Sequence, residues 1–261
     1  MIKDYLRATI KKLGLTSRPH PFFFSNLLHM GSYFKSLKRN PSLAKGDVAC
    51  LIVTWDEGLM IRYALESSKD FVSRYVIIDK DGSTVPYIEE CRDKWDLDIE
   101  IHTKPELNRR ESRAFGVKRI NEPWILIQDG DEIFHTNGSR KIQSLRKFMD
   151  RPNVVYCAPI VILMGDLYHT HRKYPIMPSH PFLYQNNGTI RVSAYARKRE
   201  EDLPIMDGWK IGLPEPYKFN CRIKPRVRDG LQGRNMPIFN VHKYGPYPQV
   251  IRHLVKKSRM N

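Results

Sequence analysis

The chain has 261 residues, of which 41% are hydrophobic and 28% are charged, and its formal net charge is +16. This size and composition are ordinary for a folded soluble protein with a full core, and one large α/β domain, with or without appendages, is expected. The four cysteines are widely spaced and form no CxxC pair, which argues against a structural zinc site or a disulfide framework and fits a reducing compartment.

Basic charge is concentrated at the two ends of the chain. Residues 1–46 hold nine Lys or Arg and one acid, Asp4, whereas residues 247–261 hold four basic residues and no acid. Both ends also show helical spacing of apolar residues, which suits the surface of an anionic membrane. Helices that pack on the main domain and expose a basic face explain the pattern equally. Nucleic-acid binding is a weaker interpretation, because no recognisable motif accompanies the charge.

Membrane insertion is not indicated by the sequence. No segment approaches the roughly 20 apolar residues that a spanning helix needs, and the N-terminus has no signal-peptide core. We therefore expect a cytoplasmic protein. One alternative is that its basic ends bind it peripherally to the cytoplasmic face of a membrane.

Strand-like and helix-like segments alternate from residue 47 to residue 127. The predicted order is strand 47–53, helix 59–66, strand 75–78, helix 85–95, strand 99–101, helix 111–120 and strand 124–127. This rhythm indicates right-handed βαβ crossovers and a mostly parallel sheet, which binds ligands at the carboxyl ends of its strands.

Acid-bearing clusters follow three of these strands. They are Thr54-Trp55-Asp56-Glu57, Asp79-Lys80-Asp81-Gly82-Ser83-Thr84 and Asp129-Gly130-Asp131-Glu132. Acids at the end of a buried strand repel one another and lose hydration, so a cationic partner is expected. Mg²⁺ or Mn²⁺ that holds a phosphorylated ligand supplies this positive charge, since both ions prefer oxygen ligands. The alternative is that each cluster is an ordinary acidic turn without a ligand. No GxGxxG or GxxxxGK[ST] motif is present, so carboxylates, a metal and a few basic residues must hold the ligand instead.

The segment from Asp47 to Phe134 resembles the N-terminal half of family 2 glycosyltransferases, which have the GT-A fold. The marks of the resemblance are the Thr54-Trp55-Asp56-Glu57 strand end, the turn from Ile78 to Thr84, Arg113 in the helix before the fourth strand, and the DxD motif Asp129-Gly130-Asp131 followed by Glu132. The chain departs from the family at Asp56, where Asn is common, and at Lys80, where a second Asp is common.

The resemblance implies a Rossmann-like, mostly parallel sheet with helices on both faces, and a nucleotide-diphospho-sugar donor such as a UDP- or GDP-sugar. Trp55 would stack on the base, and Asp79 or Asp81 would accept a hydrogen bond from a base N–H. Arg113 would contact the diphosphate as a forked donor. Thr54, Glu57 and Gly130 complete the implied donor-binding set.

The resemblance also implies a metal site. Asp129 would face the ribose or the metal, and Asp131 would ligate the Mn²⁺ or Mg²⁺ that bridges both phosphates and assists the departing nucleoside diphosphate. His242 lies in the stretch Asn240-Val241-His242-Lys243-Tyr244-Gly245, which is similar to the H-x-x-G stretch of relatives, and is a further candidate ligand.

The base that deprotonates the acceptor hydroxyl should come from the second half of the chain. Glu201 or Asp202 is the first candidate, in the cluster Glu200-Glu201-Asp202, with Asp207 and Asp166 in reserve. A charged surface loop explains the same cluster. His169 and His171 form an HxH pair without a third ligand nearby in sequence, so we interpret them as acceptor-loop or surface residues and not as zinc ligands.

These observations predict a GT-A-type α/β domain in four parts: a basic amphipathic extension at 1–46, a donor half at 47–135, an acceptor half at 136–246 and a basic C-terminal helix at 247–261. The expected reaction is metal-dependent transfer of a sugar to a hydroxyl of a glycan, a polysaccharide or a lipid-linked acceptor, with inversion. The rivals are glycosyl transfer to nucleic acid, a sugar-phosphate nucleotidyltransferase and a non-catalytic binding module.

Overall fold

The computed structural model describes most of the α/β domain. The described residues are 48–135, 154–173, 175–186, 191–192, 204–205, 209–212, 218–223, 236–241 and 246–258. The predicted N-terminal extension lies outside them, as do Glu201, Asp202, Asp207 and His242.

The first half of the chain builds four parallel strands with helical crossovers. The strands are β1 (Val48–Thr54), β2 (Arg74–Asp79), β3 (Ile99–Thr103) and β4 (Trp124–Asp129), and the helices are α1 (Met60–Ser68), α2 (Val85–Trp95) and α3 (Arg109–Val117). They lie in the order β3-β2-β1-β4, and each neighbouring pair is parallel. The predicted mostly parallel α/β architecture is confirmed.

Alternation along the strands divides the core between the two sheet faces. Cys50 and Ile52 pack with Ile61 of α1 and Ile88 of α2, while Leu51 and its neighbours pack against α3 on the other face. Strands that are buried on both sides read as the nearly continuous apolar runs seen in the sequence. Helices therefore cover both faces, as predicted.

Most strands of the second half of the chain extend the same sheet. The strands of this half are β5 (Glu132–Phe134), β6 (Val154–Met164), β7 (Ile176–Gln185), β8 (Arg191–Val192), β9 (Pro204–Ile205), β10 (Trp209–Gly212) and β11 (Lys218–Arg222). The order continues β4-β7-β6-β11-β5, with β7 antiparallel to both β4 and β6, and β11 parallel to β6. The strand β10 also pairs with β6, whereas β8 and β9 form a separate two-stranded sheet. The strand β5 begins directly after the acidic turn that follows β4. The five strands in the order β4-β7-β6-β11-β5 therefore form a ring, which the acidic turn closes.

The C-terminal segment packs on the domain. A 3-10 turn (Gln249–Ile251) leads into α4 (Arg252–Ser258), and Ile251 and Val255 are buried beside Phe239 and Tyr247. The apolar residues of this segment thus face the core, which favours the packed arrangement over one in which they face a membrane. No helix among the described residues is long and apolar enough to cross a bilayer.

Candidate functional site

The candidate site lies where the strand order changes direction. The chain moves outward from β1 through β2 to β3, then returns to place β4 on the other side of β1. The register sets Val53 beside Asp129 and Thr54 beside Asp79, so the three acid-bearing strand ends meet at one edge. Open α/β sheets bind ligands in the crevice at such a switch point.

Asp129 is held by two arginines of α3. Arg113 Nη2 donates to Asp129 Oδ1 at 2.6 Å, and Arg109 donates to Oδ2. The two arginines are four residues apart and so share one helix face, and the Asn108 capping box fixes where the helix begins. Burial alone would raise the pKa of Asp129, but the charges of Arg109 and Arg113 hold it well below its ordinary value.

Arg113 is itself part of the protein interior. Only 2% of the residue is exposed, and its described hydrogen bond goes to Asp129. Its predicted contact with a diphosphate stays a prediction. Arg109, whose side chain is 44% exposed, presents a guanidinium at the surface of the same cleft.

Glu132 is neutralised by a lysine from the far end of the chain. Lys218 Nζ donates to Glu132 Oε2 at 2.6 Å, and both side chains are buried. The same carboxylate oxygen accepts the backbone N–H of Asp129 at 3.1 Å. Asp129 and Glu132 thus have, as the cationic partners expected for this acidic turn, side chains of the protein itself.

Asp131 has a different partner. Its Oδ1 accepts a hydrogen bond from the Asn220 Nδ2 amide at 3.2 Å, and Arg222 Nε donates to Asn220 Oδ1 at 2.8 Å. The arginine therefore orients the amide so that its N–H₂ group points at Asp131. This carboxylate is buried in the same turn as Asp129.

Asp131 is the carboxylate of this turn that the sequence predicts as a metal ligand. Mg²⁺ commonly binds through one or two carboxylates together with substrate phosphates, so a carboxylate at Asp131 fits Mg²⁺ or Mn²⁺ in that mode. Among the described residues no group of three or more His, Cys, Asp or Glu is arranged to hold a metal unaided. His242, the other predicted ligand, lies outside the described residues.

The two candidate base-reading acids differ in environment. Asp79 is fully buried, and its Oδ2 accepts from the backbone N–H of Thr84 at 3.0 Å and from the Thr84 hydroxyl at 2.6 Å, where α2 begins. Burial raises the pKa of Asp79. Asp81 is exposed and accepts from Ser83 Oγ at 2.7 Å. Asp81 is therefore the one of the pair that can reach a ligand without dismantling the turn.

Trp55 directly follows the end of β1. It is 43% exposed, which is unusual for a tryptophan beside a buried strand end, and Lys80 Nζ lies 4.5 Å from its ring centroid. This position fits a stacking surface better than a core residue.

Gly130 is required by close packing. A methyl group at this position would lie 2.7 Å from Thr54 Oγ1 and 2.8 Å from Glu57 Cγ. The three residues, which we predicted as part of the donor set, are therefore in contact, and they join the β1 end to the acidic turn. Their direct role toward a ligand stays a prediction.

A small cleft continues from Asp129 toward the second half of the sheet. Its lining residues are Arg109, Asp129, Glu132, Ile160, Ile162, His180, Asn220 and Arg222. His180 is buried there, and burial, together with the charge of Lys218, lowers its pKa to about 4, so the ring is neutral at neutral pH.

Five of the residues around the acidic turn were missed from the sequence: Arg109, His180, Lys218, Asn220 and Arg222. Arg109 could have been found from its four-residue spacing to Arg113. The alternation of polar and apolar residues in Lys218-Phe219-Asn220-Cys221-Arg222 indicates a strand with one polar face. Nothing in the sequence near His180 signals its position.

Comparisons with known proteins add similar solved structures. No family model matches the chain, and no curated protein matches it. S. aureus TarS 1–349 in complex with UDP-GlcNAc has a TM-score of 0.49 at 14% identity over 70% of this chain, which spans 60% of the TarS chain. The mannosyltransferase PcManGT from Pyrobaculum calidifontis, in complex with GDP-Man and Mn²⁺, has a TM-score of 0.38 at 16% identity, over 55% of this chain and 44% of its own.

A nucleotidyl-transferring enzyme is similar to the same degree. The 4-diphosphocytidyl-2C-methyl-D-erythritol synthase from Anaerococcus prevotii has a TM-score of 0.47 at 13% identity, over 71% of this chain and 98% of its own. With TM-scores below 0.5, these likenesses carry no argument about the activity of this chain.

We predict that Arg113→Leu lowers the free energy of unfolding by about 3 to 5 kcal/mol, because it leaves Asp129 buried beside one exposed cation. The matched variant Arg109→Leu removes the more exposed partner of the same carboxylate and should cost about 1 kcal/mol or less. Urea denaturation of both variants measures the difference, and equal losses would contradict the assignment of Arg113 as the principal partner.

The deficit of Arg113→Leu should also depend on pH. The pKa of Asp129 is depressed in the folded protein, so the ion pair stabilises the fold above the ordinary aspartate pKa of about 4 and this stabilisation is lost as the pH falls further. Wild type and variant should therefore converge in stability below about pH 4. A gap that stays constant down to pH 2 would show that lost packing, and not lost charge, explains the deficit.

We expect Gly130→Ala to destabilise the protein by about 1 to 3 kcal/mol, since the added methyl group overlaps Thr54 and Glu57. Thr54→Ala removes the nearest atom, so the double variant should be less destabilised than the sum of the two single changes. Additive losses in urea denaturation would contradict this contact.

Proposed function

We propose that this protein is a glycosyltransferase that moves a sugar from a nucleotide-diphospho-sugar donor to an acceptor hydroxyl. The observation that carries the proposal is the convergence of three acid-bearing strand ends at the switch point, beside the exposed ring of Trp55. An aromatic surface, exposed acids and a carboxylate suited to a hard cation are the groups that a base, its ribose and a diphosphate require.

The donor is held by side chains of different kinds. Trp55 stacks on the base, and Asp81 accepts a hydrogen bond from a base N–H, with Asp79 fixing the turn behind it. The exposed guanidinium of Arg109 contacts a phosphate oxygen, while Arg113 keeps Asp129 ionised and in place. This distribution modifies the predicted role of Arg113, because Arg109 is the more accessible of the two arginines.

The reaction is a displacement at the anomeric carbon. The acceptor oxygen forms a bond to that carbon as the bond to the phosphate oxygen breaks, and the nucleoside diphosphate leaves with the electron pair. Asp131 would hold a Mg²⁺ or Mn²⁺, which would supply positive charge to offset that of the departing diphosphate. The protein contributes fixed charges in a partly buried cleft, where they act more strongly than in water.

The acceptor side of the proposal rests on the sequence. Glu201 and Asp202 remain the sequence-based candidates for the base, and His242 remains a candidate metal ligand. Acceptors of the glycan, polysaccharide or lipid-linked class, a cytoplasmic location and contact of the basic ends with an anionic membrane belong to the same proposal.

We expect Asp131→Asn to reduce transfer by at least about 100-fold, because the amide cannot replace a metal-binding carboxylate at a charge-stabilising site. The fold should be little affected, since the substituted side chain keeps its size. Asp93→Asn, an exposed aspartate of α2, serves as the control and should leave transfer unchanged.

The assay is a panel of nucleotide sugars with Mn²⁺ or Mg²⁺, scored first by thermal stabilisation, because a ligand of the native state raises apparent stability. Turnover is then scored by its products. Release of nucleoside diphosphate supports glycosyl transfer, whereas pyrophosphate formed from a nucleoside triphosphate would replace it with nucleotidyl transfer. Salt-sensitive DNA binding with transfer to nucleic acid would change the acceptor class, and donor binding without turnover would indicate a binding module.

A further inference from the structure

The loop that follows β6 carries a histidine oriented by a carboxylate. His169 Nδ1 lies 2.8 Å from Asp166 Oδ2 and 3.0 Å from Oδ1, and Asp166 Oδ1 also accepts the backbone N–H groups of Tyr168 and His169. An ionised carboxylate only accepts hydrogen bonds, so the proton of the neutral ring lies on Nδ1. The Nε2 lone pair of His169 is then available to take a proton.

Strand pairing places His169 on a defined face of the sheet. Leu163 pairs antiparallel with Thr170, and Met164 N donates to His169 O. Met164 is therefore directly opposite His169, and residues that are opposite one another project from the same face. Leu163 and Thr170 are buried on the other face.

The same face carries the polar residues of β11. Met164 is in register with Arg222, and Ile162, which lines the cleft, is in register with Asn220. Because strands are about 4.8 Å apart, His169 lies two strand spacings, about 10 Å, from Arg222 at the level of the backbone. Asn220 in turn contacts Asp131, so the histidine and the acidic turn share one face of the sheet.

The direction of the strands places both at the same edge. β6 and β4 are each antiparallel to β7, so they run in the same direction and end at the same side of the sheet. The loop from Gly165 to His171 therefore emerges on the same side of the sheet as the acidic turn after β4, although β6 runs several residues further before it ends. Its neighbour His171, opposite Ile162, has its pKa lowered by burial and by the charge of Arg222, which agrees with this position.

We propose that His169 is the general base of the transfer reaction, with Asp166 as its positioning residue. The inference rests on the proposed function. Nε2 of His169 takes the proton of the acceptor hydroxyl as the acceptor oxygen attacks the anomeric carbon and the nucleoside diphosphate departs. The imidazolium that forms is stabilised by Asp166, and its proton then passes to solvent.

The surroundings of His169 suit this role. Its side chain is 38% exposed, which leaves room for an acceptor. The charged or titratable groups that face it from the packed elements of the described chain are Asp166 of its own loop, His171 and Arg222 of β11. The segment 236–241, which pairs with His169 through Ile238, contains no charged residue.

The test combines donor binding, transfer rate and pH profile for His169→Gln and Asp166→Asn. The matched control is His102→Gln, since His102 is also paired with a carboxylate, Glu100, but on β3. His169→Gln should lower kcat by about 100- to 10,000-fold, the usual contribution of a general base, with nucleotide-sugar affinity unchanged. His102→Gln should leave both quantities unchanged.

The pH profile separates catalysis from structure. Wild-type kcat/KM should show a limb that rises with pH as the essential base becomes deprotonated, and His169→Gln should lose this limb. Asp166→Asn removes the charge that favours the imidazolium, so the limb should move to lower pH while affinity for the donor is retained. A purely structural role for Asp166 would leave the limb in place.

Two outcomes overturn the inference in different ways. Normal donor binding and an unchanged rate in His169→Gln, with loss of activity in Glu201→Gln or Asp202→Asn, would assign the base to that acidic cluster and remove this inference alone. If no nucleotide sugar stabilises the wild-type protein, the proposed function fails and the inference fails with it.

Discussion

The arrangement around the switch point depends on the cost of burying carboxylates. Asp129 and Glu132 are placed at the end of a strand that is covered on both faces, where an uncompensated charge would destabilise the fold by several kcal/mol. Arg113 forms an ion pair with Asp129 and Lys218 forms one with Glu132, so each of these buried acids has a cationic partner. The same turn holds Asp131, whose Oδ1 accepts a hydrogen bond from the Asn220 amide, so residues of β11 contact two of the three acids.

The first half of the sheet was largely predictable, because its sequence signals are local. Apolar runs gave the strands, helical spacing gave the crossovers, and acids after each strand gave the edge at which the site lies. The partners of those acids were harder to predict. Lys218 and Asn220 contact residues 86 and 89 positions away in the sequence, and only the curl of the sheet brings them together.

Residues of the same chemical type also have different roles in the structure. The sequence treats Asp79 and Asp81 as equivalent candidates, yet the first is sealed behind the start of α2 while the second is exposed. The same contrast separates Arg113 from Arg109. In each pair the buried residue supports the local structure and the exposed residue can contact a ligand. Only the solvent exposure of the side chains makes this distinction, because the residue types are identical.

The ring closed by the acidic turn determines whether the chain can be divided into parts that fold independently. The predicted donor-binding residues come early in the chain, but β5 pairs with β11 and Glu132 depends on Lys218. A fragment that ended after β5 would contain almost all of these residues and would still expose an unpaired strand and bury an uncompensated acid. The first half of the chain is therefore not a module that recombination could transplant alone. Any such exchange must carry β11 together with the parallel strands.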